Sequence, residues 1–144
     1  MTSFLPDTSC MIAAVCSWHE HHDRAPDAIE GRLERKQRMI VAAPALIEMY
    51  SVLTRLPAPY RLAPTTALSV VETSFVKGLK IVALDAETYV EVLRRAPDVG
   101  ISGGRTYDAA IAACARKGNV QTLLTFNQSH FRPFSDPDLL VVVP

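Results

Sequence analysis

The stretch SFLPDTSCMIAAV (Ser3–Val15) runs a short apolar segment straight into a helix-like apolar segment, with Asp7 at the junction. Helix capping explains part of this, because Asp, Thr and Ser all place a side-chain oxygen where it accepts from the first free backbone amides. Asp7, Thr8 and Ser9 stand in a row, and one of them suffices as a cap. At least one polar side chain is left over for another task.

The same pairing of strand and helix repeats along the chain. Strand-like runs fall at Ser3–Pro6, Met39–Ala43, Leu79–Leu84, Val120–Phe126 and Leu139–Val143. Helical character fills Ser9–His22, Pro26–Arg38, Pro44–Arg55, Thr66–Lys77, Asp85–Ala96 and Arg105–Lys117, with Pro44 suited to a first turn and Gly78 and Gly118 to C-terminal stops. Strands alternating with helices predict an α/β fold, a three-layer α/β/α sandwich with a mostly parallel five-stranded sheet. The runs LKIVAL and TLLTF do not alternate, which predicts burial on both faces. In such sheets ligands bind beyond the carboxyl ends of the strands. Asp7 follows the first strand there, and Thr125-Phe126-Asn127 ends the fourth.

Two further carboxylates are expected at that edge. Glu48 sits near the first turn of PALIEMYSVLTR, close to an apolar stripe of Leu46, Tyr50 and Leu53 with Ile47 beside it. Asp108 opens the helix in GGRTYDAAIAACARKG, after glycines that allow a sharp return of the chain. Each acid alone reads as a first-turn residue favoured by the helix dipole. Together Asp7, Glu48 and Asp108 point to one rim without obvious basic partners. Crowded carboxylates either take up protons or bind a cation, and Mg²⁺ or Mn²⁺ with oxygen ligands resolves the repulsion.

In order and spacing, LPDTSCMIA, PALIEMYSVLTR, RTYDAAIAACAR and LLTFNQSHF resemble the PIN-domain ribonucleases, and among these the VapC-type toxins of bacterial toxin–antitoxin pairs. The resemblance spans essentially the whole chain. It implies that Asp7, Glu48 and Asp108 bind divalent metal, with Thr8 and Ser9 as supporting polar residues. A fourth acidic position is often found after strand four; here Asn127 stands in that place, and His130 replaces a frequent Asp. The implied activity is Mg²⁺-dependent hydrolysis of RNA phosphodiesters, with Mn²⁺ as substitute and Asn127 reaching the ion directly or through water. Arg105, three residues before Asp108, and His130 are expected to contact RNA, together with Thr8 and Ser9. The resemblance further implies a homodimer and a cognate VapB-type antitoxin.

Composition sets the remaining bounds. With 144 residues the chain is expected to form one domain over 1–144, long enough for a proper core. Fifteen Lys and Arg balance fifteen Asp and Glu, which argues against nonspecific coating of nucleic acid and leaves local basic patches. Cys10, Cys16 and Cys114 form no C-x-x-C pair and read as buried thiols of a reducing compartment. No secretory signal or membrane-spanning run is visible, so a cytoplasmic location is expected.

WHEHHD (Trp18–Asp23) invites a zinc reading through His19 and His22 on one helix face, but further ligands at useful spacing are lacking. Arg32, Arg35, Lys36 and Arg38, interleaved with Glu30 and Glu34, read as an exposed, salt-bridged face. No G-x-G-x-x-G follows the first strand, which weakens a dinucleotide site. A receiver domain would need paired early acids and a Lys after its last strand. A non-catalytic PIN-like scaffold that binds RNA or protein is the remaining alternative.

Overall fold

The computed structural model describes residues 2–144. Their order is β1 (Ser3–Pro6), α1 (Thr8–Val15), α2 (Arg24–Glu34), β2 (Arg38–Ala42), α3 (Ala43–Arg55), α4 (Pro64–Phe75), β3 (Lys80–Val82), α5 (Ala86–Arg95), α6 (Arg105–Lys117), β4 (Thr122–Leu124), α7 (Gln128–Phe131) and β5 (Leu140–Val142). Asp136 and Leu139 add an isolated antiparallel bridge before β5.

The strands pair in the order β3-β2-β1-β4-β5, and every strand pair is parallel. The register joins Phe4 to Met39 on one side of β1 and Leu5 to Leu123 on the other. All four residues of β1 and all three of β4 are buried, so helices cover both faces at the centre of the sheet. Phe4, Leu5, Met11, Met49, Leu53, Ile111 and Leu123 form the middle of the core. The three cysteines are buried and free.

The strand order dictates where a site forms. From β1 the chain builds outward through β2 to β3, then returns to the other side of β1 with β4. The carboxyl ends of β1 and β4 therefore flank a switch point, where the crossovers leave a crevice.

Several expected elements are shorter than their apolar runs. Helical structure over Ser9–His22 stops at Val15, and residues 17–23 form turns. His22 Nδ1 lies 2.9 Å from the Ala13 carbonyl, and His21 stacks on Phe126, so side-chain contacts fold this segment back. The expected helix Pro26–Arg38 ends at Glu34; Lys36 takes a positive φ of 64° and Arg38 opens β2. The salt-bridged face does not form among the described residues: Arg32 donates to Gln37 Oε1 and its guanidinium lies over the Phe4 ring.

LKIVAL was expected to be buried on both sides. Only Lys80–Val82 is strand, at the sheet edge, and Ile81 is exposed. On α3 the buried positions are Ala45, Met49 and Leu53, whereas Ile47 and Tyr50 are exposed, so the stripe expected from Leu46 and Tyr50 is rotated.

Candidate active site

Asp7 is itself the N-cap of α1: its backbone is extended and its side chain accepts from the Cys10 amide at 3.0 Å. Its backbone amide also donates to the Leu124 carbonyl, which ties the cap to the end of β4. The same carboxylate receives a 2.6 Å bond from Ser9 Oγ on Oδ1 and a 2.6 Å bond from Thr125 Oγ1 on Oδ2. The shell is continuous. The Phe126 amide donates to Ser9 Oγ, and the Asn127 amide donates to Thr125 Oγ1. Asp7 is 1% exposed. Burial, with a smaller contribution from the negative charge of Asp108, raises its pKa to about 6 in spite of the three hydrogen bonds.

Glu48 and Asp108 reach the same place from α3 and α6. Together with Asp7, Thr8, Ser9, His19, Arg105, Asn127 and His130 they line one cavity of about 450 Å³. Burial raises the pKa of Glu48, and the Asp7 charge pushes the same way; Arg55 and the Thr8 hydroxyl act against it. Thr8 Oγ1 stops short of hydrogen-bonding geometry and is buried without a partner. Burial likewise raises Asp108, and Glu48 adds to the rise. His130 Nδ1 lies 3.0 Å from Asp108 Oδ2 and lowers it, with Arg105 helping. Arg105 and His130, expected at this rim as RNA contacts, are thus also basic neighbours of Asp108.

The sequence placed Asp7, Glu48, Asp108, Thr8, Ser9, Arg105, Asn127 and His130 on this rim, and all eight line the cavity. Two more residues take part in the site in roles that the sequence reading does not assign them. Thr125 holds Asp7 from the end of β4, and its position directly after an apolar strand was the available signal. His19 lines the cavity because the segment after α1 folds back, which no local pattern announces.

The donor set suits a hard cation. It consists of carboxylates and a neutral carbonyl, all oxygen. A carboxylate offers about four lone-pair positions, and Asp7 uses three of them, so one is left for an ion. Thr8 Oγ1 and Arg105 Nε are buried polar atoms without partners in the same place. Among the described residues no three His, Cys, Asp or Glu side chains close on one point, and His19 and His22 share no helix face.

An open parallel sheet with acids gathered at its switch point defines an α/β domain whose polar cavity lies at the carboxyl ends of β1 and β4. The PIN domain family matches residues 4–134, and the chain belongs to that family. Ribonuclease VapC40 of Mycobacterium tuberculosis is 36% identical over 118 residues, 82% of either protein. Ribonuclease VapC27 of the same organism is 34% identical over 103 residues, 72% of this chain and 62% of that protein. Among solved structures, VapC20 of M. tuberculosis, described as a Sarcin-Ricin loop cleaving toxin, superposes with a TM-score of 0.70 at 15% identity, covering 93% of this chain and 97% of that one. VapBC2 from Rickettsia felis, bound to a DNA fragment from its promoter, gives 0.67 at 20% identity, covering 99% and 98%. These structures share the fold.

Proposed function

We propose that the chain is a toxin-type endoribonuclease that hydrolyses RNA phosphodiester bonds with a divalent cation, Mg²⁺ by preference and Mn²⁺ as substitute. The observation that supports this most is the gathering of Asp7, Glu48 and Asp108 from three crossovers into one cavity, each with its pKa raised by burial. The likeness to proteins named ribonucleases points to the same activity.

Asp7 and Asp108 would hold the ion, with Asn127 at the rim of the site. When bound, such an ion supplies a more acidic water and shields charge on the phosphate. The protein groups do the rest. Ser9, Thr125 and the Cys10 amide fix the Asp7 carboxylate in one orientation. Glu48, held less acidic than a free glutamate, is suited to take a proton from water. The positive charge of Arg105 and its unpartnered Nε face a phosphate entering among the acids.

A free acidic cavity in a growth-inhibiting nuclease calls for a cationic plug. A VapB-type antitoxin that inserts an Arg or Lys toward Asp7, Glu48 or Asp108 fits that chemistry. The exposed Ile47 and Tyr50 on α3 and Leu68 on α4 offer apolar surface for that partner or for a homodimer. Among the described residues no helix is long and apolar enough to cross a membrane.

The test is incubation of the purified chain with total cellular RNA, with mapping of the new ends. Discrete cuts that vanish with a chelator and return with Mg²⁺ are expected. Cutting that persists in the chelator, or RNA that binds and stays whole with every divalent metal, contradicts the reading. The second outcome would favour the scaffold.

A further inference from the structure

Beside the acidic cavity runs a connected row of rings. Tyr60 packs on Trp18 with centroids 4.6 Å apart, and Trp18 on His19 at 5.8 Å. His19 meets His21 at 5.6 Å, and His21 stacks on Phe126 at 4.2 Å with planes 13° apart. The Arg24 guanidinium closes the row 5.5 Å from the Phe126 centroid. His19, the middle ring, also lines the cavity. Trp18 and Tyr60 are each 43% exposed, so the row's outer end is open to solvent. Three separate segments build it: the turns after α1, the loop after α3 and the end of β4.

Core packing does not account for an exposed Trp–Tyr pair continuous with an active-site wall. A row of flat rings flanked by a guanidinium, leading to a cation-binding cavity, matches what an unpaired nucleic-acid strand requires. Bases stack on aromatic faces, while the phosphate between them sits among cations. Duplex RNA keeps its bases stacked inside and gains nothing from such a row. Building on the ribonuclease reading, we infer that Tyr60, Trp18 and His19 form a stacking platform for unpaired bases of the RNA next to the bond cut.

Trp18 is the chain's one tryptophan, so its fluorescence reports on this surface alone. The experiment uses the full chain carrying Asp108→Asn, with Mg²⁺, and titrates it with octaadenylate and with an abasic ribose-phosphate octamer. Quenching of Trp18 by octaadenylate but not by the abasic strand is expected. In parallel, anisotropy of end-labelled octaadenylate reads affinity. Trp18→Ala and Tyr60→Ala should each weaken binding by about fivefold or more, the usual effect of losing one base-stacking ring. Trp18→Phe should restore most of it, and the salt dependence should stay unchanged because no phosphate contact is lost.

A structural role for Trp18 would not produce base-dependent quenching. Binding of octaadenylate without quenching, equal quenching by the abasic strand, or full affinity in both alanine variants overturns the platform. Emission that follows protein concentration and ignores RNA also overturns it, and assigns the patch to a second copy of this chain. If the native chain cleaves RNA while Trp18 stays silent, only the platform fails. If it cleaves nothing with any divalent metal, the reading of the cavity fails as well.

Discussion

Asp7 does two things with one carboxylate. It caps α1 and stands at the wall of the cavity, and burial makes its ionisation costly. Its pKa lies near 3.8 in an unfolded chain and about 6 in the folded one, so the folded state holds the proton longer. Stability from this group is full below the unfolded value and is lost as pH rises through about 6. The loss is about 3 kcal/mol at most. In metal-free protein Asp7→Asn should therefore raise stability at pH 8 by about 1–3 kcal/mol, and the gain should disappear near pH 4. Urea unfolding at the two pH values checks both parts. Added Mg²⁺ should narrow the difference, because the ion favours the ionised Asp7.

His130 lowers the Asp108 pKa through the 3.0 Å contact to Oδ2. His130→Ala removes that support, so Asp108 stays protonated to higher pH. The acid limb of kcat/KM against pH should move upward, and an unmoved limb would separate His130 from Asp108 in catalysis. Asn127 offers one neutral oxygen where an Asp would offer a charge. Asn127→Asp should then lower the metal concentration for half-maximal cleavage, and Asn127→Ala should cost less activity than Asp7→Asn. A midpoint unaffected by Asn127→Asp would reduce Asn127 to a turn residue.

At the level of elements, α6 is delivered to the rim by a loop in which Gly103 takes a φ of +58°. A Cβ there would meet nothing within 4 Å, so the cost of Gly103→Ala is conformational alone, about 1–2 kcal/mol. Gly103→Asn should cost less, since Asn tolerates this conformation. Chemical denaturation of both variants checks the order.

Elements were legible where local and tertiary signals agreed. Arg105–Lys117 has clear punctuation, Gly104 before it and Gly118 after, and it formed as read. The helix after Asp7 is read too long because Cys16–His22 has no local stop signal; the segment instead folds back, with His22 on the Ala13 carbonyl and His21 on the distant Phe126 ring. LKIVAL looked like a central strand because an apolar run does not say whether it pairs on one side or two. The acids of the site could be read because each stands just past a strand or early in its helix. His19 could not be read, since its place depends on where a turn folds back.

For the whole molecule, equal numbers of acidic and basic residues mean that RNA affinity must come from local placement. Arg116 is engaged with Asp136 at 2.7 Å and with the Phe134 carbonyl, and Arg61 donates to the Leu56 carbonyl. Arg105 is left facing the cavity. Arg105→Ala should weaken RNA binding and reduce the slope of log affinity against log salt by about one. An unchanged slope would route the strand past another cation, such as Arg55.

On the proposed reading, Asp7 and Asp108 hold one cation at the switch point of the sheet, with Glu48 beside it in the same cavity. Titration of the metal-free chain with Mn²⁺, followed by electron paramagnetic resonance of the free ion, measures that binding. One bound ion per chain is predicted, with binding weakened by about tenfold or more in Asp7→Asn and in Asp108→Asn, because hard cations depend on ligand charge. Mn²⁺ binding that is unchanged in both variants while each remains folded would show that Asp7 and Asp108 do not hold the ion.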